Sequence, residues 1–192
     1  MGTTQPIRNR RELQDFSTYY KTVKPHPRNY TLVVLGLNTA LRISDLLNLQ
    51  WKDVYDVSAQ RFYEHLLVLE HKTGKRNYIA LNQNAKKALQ WYKKENLFHA
   101  DDYLFSKRTD RSHPLNRSQA YRIIKEAASA LPDHAHISCH SMRKTFGYHA
   151  WKQGTPPALL MDVFNHSSYR VTKRYLGIEQ DERDEIYLKL EL

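Results

Sequence analysis

Six side chains in this sequence have the types needed to act together on a phosphodiester. Residues 165–175 read NHSSYRVTKRY, which sets His166 and Tyr175 on either side of Arg170, Lys173 and Arg174. A tyrosine hydroxyl has a pKa of about 10, so it attacks at neutral pH only with help. Upstream, HSMRK (140–144) offers His140 and Arg143. At about 100° per residue, His140, Arg143, Lys144 and Gly147 share one arc of a helix, while Met142, Phe146 and His149 face the opposite, core side. Arg42 ends a nearly unbroken apolar run, and Lys72 and Lys75 flank Thr73-Gly74. Two arginines, a lysine, two histidines and a tyrosine cover every need of a metal-free cleavage. The arginines pair with the non-bridging oxygens and offset their growing charge. His140 orients the phosphate or helps take the tyrosine proton, and the lysine is an acid for the departing 5′ oxygen. Tyr175 supplies the attacking oxygen, so the bond energy is kept in a covalent phosphotyrosine.

Each residue also has a plainer explanation. H-x-x-R alone is more often a solvated basic face. Arg42 can pair with Asp45 three residues on. Lys72 and Lys75 compete for one role at a hairpin tip, and Tyr175 competes with Tyr169, although the spacing from His166 favours Tyr175. HAHISCH (134–140) has spacing that could hold a transition metal, but no carboxylate follows at ligand distance. Cys139 next to His140 invites a thiol mechanism, yet adjacent side chains point apart. Trp51, Trp91 and Trp151 read as core or interface aromatics.

The elements that must position these groups are mostly helical. Residues 10–22 form a helix broken by Lys-Pro-His-Pro (24–27), and the apolar 30–41 forms a buried helix delivering Arg42. Ser44-Asp45 reads as the cap of a short helix to residue 49, and 51–57 as a short strand. Residues 62–69 and 77–81 form a β-hairpin around HKTGKR, with Gly74 free to take a positive φ. Helices are predicted over 83–97, 117–131 and 140–152, with a polar loop at 106–116. Gly154-Thr-Pro-Pro157 ends the last of these, and Pro156 suits the opening of another. The expected class is α+β, mainly helical, with a small antiparallel sheet.

In that order these segments resemble the tyrosine recombinases, or phage integrases. ALRISDLLNLQW resembles their first arginine box, with Arg42 and Asp45 in its R-x-x-E/D positions. HKTGKRNYIAL resembles their lysine hairpin and assigns the catalytic lysine to Lys72. HSMRKTFGYHA resembles the H-x-x-R box at His140 and Arg143. VFNHSSYRVTKRY resembles the segment carrying His166 and Tyr175. The likeness runs from about residue 10 to 178. Asn165 stands where the family more often has Gly, and Lys144 where it often has His. The resemblance implies the catalytic domain of a site-specific DNA recombinase. It further implies a 3′-phosphotyrosine intermediate, strand exchange through a four-way junction, and a tetramer on two DNA sites, with a monomer possible when unbound. Members usually carry an N-terminal core-binding domain, and none is expected before this catalytic domain, as in a truncated chain or a short recombinase of the kind that inverts fimbrial promoter segments. A type IB topoisomerase would use nearly the same residues. A non-catalytic DNA-binding regulator would have no reason to keep the nucleophile.

Charge and composition agree with a polyanionic partner. The net charge is +10, with 30 Lys and Arg against 20 Asp and Glu, and residues 1–178 alone carry +14. Double-stranded DNA is the expected partner, with no cofactor and no metal. The acidic tail 179–192 (EQDERDEIYLKLEL) fits strand and helix periods alike, and either docks on a neighbouring protomer, as the resemblance implies, or frays in solvent. A lone cysteine excludes an intrachain disulfide, and the N-terminus lacks a signal peptide's apolar stretch, so a cytoplasmic setting is expected without membrane contact.

Overall fold

Pro27 opens a helix against which several others pack. A computed structural model describes residues 4–71, 74–107, 109–132 and 134–190. In chain order the helices are α1 (Arg10–Thr22), α2 (Pro27–Asn38), α3 (Ile43–Leu47), α4 (Trp51–Val54), α5 (Gln83–Lys94), α6 (Arg117–Ala128), α7 (Cys139–Lys152), α8 (Pro157–Phe164), α9 (Tyr169–Leu176) and α10 (Glu179–Lys189). The strands are β1 (Tyr55–Asp56), β2 (Arg61–Phe62), β3 (His65–Leu69), β4 (Arg76–Ala80), β5 (Ser106–Lys107) and β6 (Asp110–Pro114). Proline's fixed φ suits the first turn of α2, and the His26 ring accepts from Asn29 N. The helix is apolar nearly all round because α1, α5 and α7 cover it.

Among the described residues, three apolar clusters follow from this arrangement. One joins α2, α3, α5 and the inner face of β3 through Leu32, Leu46, Leu66, Leu89 and Phe105. A second joins α1, α2, α6 and α7 through Phe16, Tyr20, Val33, Ile124 and Met142. The third gathers Ala40, Tyr148, Leu160, Phe164 and Leu176, with Tyr175 packed against it. Gly147 on α7 makes this last cluster possible. A Cβ there would lie 2.5 Å from both Phe164 Cζ and Leu176 Cδ2, far inside contact distance. Gly147→Ala should therefore cost about 1–3 kcal/mol of stability through overpacking. An unchanged melting temperature would show that α8 and α9 do not pack this closely.

Among the described residues the antiparallel structure comprises three separate two-stranded sheets, β1–β2, β3–β4 and β5–β6. The predicted hairpin is β3–β4, with Leu67 opposite Tyr78 and Gly74 at φ +65°. The predicted strand over 51–57 begins instead as a helical turn, because Gln50 N donates to the Asp53 carboxylate (2.8 Å) and Trp51 stacks on Phe98. The predicted polar loop 106–116 contains the β5–β6 hairpin. Its strands lack an alternating apolar face, which is why the period gave no signal. Arg42, not Ser44, precedes the first turn of α3.

The acidic tail is helical over Glu179–Lys189, and this helix lies on its own body. Asp181 pairs with Arg8 (3.0 Å), Glu182 with Lys173 (3.2 Å) and Glu185 with Lys152 (3.0 Å). Among the described residues no helix is long and apolar enough to cross a membrane.

Candidate active site

Arg143 is the centre of the site. It is 4% exposed on α7, and two backbone carbonyls hold its guanidinium: Nη1 donates to Ala40 O and Nη2 to Phe164 O (3.1 Å). One acceptor lies in unusual backbone and the other lies next to it. Ala40 has φ +54° in the turn between α2 and α3, and Asn165, next to Phe164, has φ +53° at the end of α8. A non-glycine residue in the left-handed region stores strain that the surrounding structure must outweigh. Here the two turns aim carbonyls at one buried cation. The predicted cationic stripe of α7 is thus only partly a solvated face, since His140 is exposed but Arg143 and Gly147 are buried and Lys144 is half-buried.

Arg42 reaches the same place from the α2–α3 turn. Its Nη1 meets the Glu70 carboxylate at 2.6 Å, and Glu70 is 3% exposed. The alternative partner, Asp45, accepts from His71 N (3.1 Å) through Oδ1, and Oδ2 is buried with no hydrogen-bond partner among the described residues. Both carboxylates therefore bind the β3–β4 connection to the arginine turn. Lys72 lies outside the described residues. Lys75 is described, and its Nζ donates to Asn165 Oδ1 (2.6 Å).

His166 and Tyr175 complete the cluster. Their rings meet edge to face at 5.2 Å, and both rest on Phe164. His166 Nδ1 is bonded to Thr172 Oγ1 (3.1 Å), which fixes the ring and leaves Nε2 unused by that bond. Lys144 Nζ stands 5.2 Å over the Tyr175 ring while donating to Thr4 O (2.7 Å), so the N-terminal segment helps place a cation on the tyrosine. The Tyr175 hydroxyl is buried and, among the described residues, has no partner in hydrogen-bond geometry, although it lies in the field of Arg143. Burial raises its pKa above the ordinary phenol value, and the opposing pull of Arg143 and Arg42 does not cancel that. Tyr169, the competing tyrosine, donates its hydroxyl to Glu182 of α10, and burial and that carboxylate raise its pKa well above normal.

Beside the cluster opens a cleft of about 870 Å³ lined by Arg42, His71, Arg117, Tyr121, Arg122 and His140. Loss of hydration and the nearby Arg143, Lys144, Arg42 and Arg117 depress the His140 pKa. His166 is depressed by burial, then by Arg143 and Arg42, and His26 by burial and Arg28. The unfolded chain, with imidazoles near about 6.5, takes up protons that the folded chain refuses. Stability should therefore fall as pH drops through about 6.5, above the carboxylate range. Melting curves from pH 7.5 to 5.5 test this, and the slope should flatten in His140→Gln/His166→Gln. A flat wild-type profile would contradict it.

Cys139 is half buried, and burial pushes its thiol up to about 11, which leaves it a poor nucleophile. Among the described residues no group of three or more His, Cys, Asp or Glu side chains gathers as a metal site.

The chain as a whole matches a known family over most of its length. The phage integrase family model covers residues 9–182. The chain belongs to the phage integrase family. It is a tyrosine-type site-specific recombinase by that membership. The probable integrase/recombinase YoeC of Bacillus subtilis (strain 168) is 39% identical over 181 residues, covering 94% of this chain and 93% of that protein. The type 1 fimbriae regulatory protein FimE of Escherichia coli (strain K12) is 31% identical over 152 residues, covering 77% and 73%. The XerH site-specific recombinase, solved bound to palindromic difH substrate, superposes with a TM-score of 0.74 at 16% identity, covering 97% of this chain and 53% of that one. That likeness concerns the fold, the mainly helical integrase architecture described above.

Glu70, Thr172 and the anchoring carbonyls of Ala40 and Phe164 had no place in the sequence reading. Glu70 carried a usable signal. Leu66 and Val68 face the core, so the two-residue period puts position 70 on the same side, where an acid needs a cation.

Proposed function

We propose that the pocket around Arg143 receives the scissile phosphate of duplex DNA and that Tyr175 cleaves it. The observation that carries this reading is the buried guanidinium itself. Arginine has five N–H donors, and a cation held by two carbonyls keeps the rest in a fixed fork for an anion. Arg42 supplies a second guanidinium once a phosphate competes with Glu70 for it. His140 and His166, both inclined to be neutral, donate to or accept from the phosphoryl oxygens and the phenol.

In the step itself, the Tyr175 oxygen forms a bond to phosphorus as its proton passes to neutral His140. The bond from phosphorus to the 5′ oxygen breaks, and that oxygen takes a proton from the Lys72 ammonium. A 3′-phosphotyrosine and a 5′ hydroxyl result. A 5′ hydroxyl from a second strand reverses the step and joins the new partner. The electrostatic field of the arginines stabilises the transition state and supplies the activation that the phenol lacks in the DNA-free protein. Strand exchange requires several protomers, which we place as a tetramer on two DNA sites, acting in the cytoplasm without a cofactor. The acidic α10, held by Arg8, Lys152 and Lys173, is the element suited to change partners on assembly.

A nicked duplex carrying the correct site tests the reading. Loss of the short 5′ fragment traps the covalent complex, which should form with wild type on that site and fail on unrelated DNA. Equal trapping and relaxation of any supercoiled plasmid would instead indicate a topoisomerase.

A further inference from the structure

The connection between β3 and β4 is tied to the active site at both ends. Glu70 N donates to Lys75 O (2.9 Å) and Gly74 N to Glu70 O (2.8 Å), which closes the turn. At the entering end, Glu70 holds Arg42 at 2.6 Å. At the leaving end, Lys75 Nζ reaches across to Asn165 Oδ1 at 2.6 Å. Lys72 falls in sequence between these two anchors.

Asn165 occupies a position that backbone physics would assign to glycine. With φ +53° and ψ +49° it ends α8 in the left-handed conformation, where glycine has no Cβ penalty. Asparagine is the next most tolerant residue there, and what it adds over glycine is a side-chain amide. That amide is spent on the hairpin. The neighbours of Asn165 are Phe164, whose carbonyl holds Arg143, and His166.

We propose that Asn165 is a positioning residue which, through Lys75, sets the hairpin lysine for proton transfer to the leaving 5′ oxygen. The inference rests on the reading above in which Lys72 is the acid. In that step the ammonium gives its proton as the bond from phosphorus to the 5′ oxygen breaks, so a displaced hairpin slows bond breaking without removing any group that touches the phosphate. A misplacement of about 1 Å is enough to cost about 100-fold.

Substituting sulfur for the bridging 5′ oxygen tests this, because a departing thiolate needs no proton. A thiol has a pKa of about 8.5, whereas an alcohol is an acid about as weak as water. Single-turnover cleavage of a nicked duplex by Asn165→Gly should fall about 10- to 100-fold with the natural oxygen and return to the wild-type rate with sulfur. Its melting temperature should not fall, since glycine suits the turn. Asn165→Asp keeps an acceptor for Lys75 and should cleave the oxygen substrate far faster than Asn165→Gly. Full activity of Asn165→Gly on the oxygen substrate, or an equal deficit on both substrates, overturns the proposal. Lys72→Ala separates the two layers. If sulfur rescues Lys72→Ala but not Asn165→Gly, the positioning role alone fails. If sulfur rescues neither, the assignment of Lys72 as the acid fails and takes this inference with it.

Discussion

Tyr175→Phe should give a folded protein that still binds duplex DNA and forms no covalent adduct with it. The substitution removes one oxygen that has no hydrogen-bond partner among the described residues, so its loss leaves no donor or acceptor stranded. The ring keeps its contacts with Phe164 and His166 and stays beneath Lys144. Stability should be equal or slightly higher, because burying an unpaired hydroxyl is unfavourable. Trapping on the nicked site should drop to background. Tyr169→Phe is the control. Its hydroxyl is engaged by Glu182, and adduct formation should persist when that bond is lost. If Tyr175→Phe still traps DNA and Tyr169→Phe does not, the nucleophile has been misassigned.

Arg143→Ala should be the most damaging change to both fold and chemistry. It strands the carbonyls of Ala40 and Phe164, each a buried acceptor costing about 1–3 kcal/mol when unsatisfied. It also removes the reason for the strained turn at Ala40. Cleavage should fall by at least about 100- to 1000-fold, the range for losing one preorganised donor to transition-state charge. Arg143→Lys separates the two effects. A lysine keeps the charge, but an ammonium cannot bridge two carbonyls and still present a fork to phosphate. It should recover much of the melting temperature and little of the cleavage rate. Recovery of cleavage with stability would mean that Arg143 acts as a general charge and that the geometry of its cage is incidental.

The local structure was legible in sequence wherever a period or a cap was strong. The apolar run of α2, the β3–β4 hairpin with Gly74 at its turn, and α7 carrying His140 and Arg143 all follow from patterns at 3.6 or 2 residues. The β5–β6 hairpin did not, because both of its faces are polar. The helical state of α10 did not either. Its acids make tertiary ion pairs with Arg8, Lys152 and Lys173, partners that no local pattern points to. At the site, the residue types of Arg42, His140, Arg143, His166 and Tyr175 could be picked from the chain, but not what holds them. Arg143 looked like part of an exposed stripe because helical periodicity places a residue on a face without saying what covers that face. The cover comes from Ala40 and from the end of α8, about 100 and 20 residues away in sequence. Asn165 looked like a departure from the glycine expected of the resembled family. Its left-handed backbone accounts for the glycine, and Lys75 accounts for the asparagine.

A structure of the Tyr175→Phe protein bound to a duplex containing its recombination site is the most direct test of convergence on one phosphate. The scissile phosphate should lie within about 3 Å of both the Arg42 and Arg143 guanidinium groups, with Glu70 no longer on Arg42 and the ring at position 175 facing the phosphorus. A phosphate seated elsewhere in the cleft, with Glu70 still paired to Arg42 and the ring at position 175 still buried against Phe164, would contradict the proposed site.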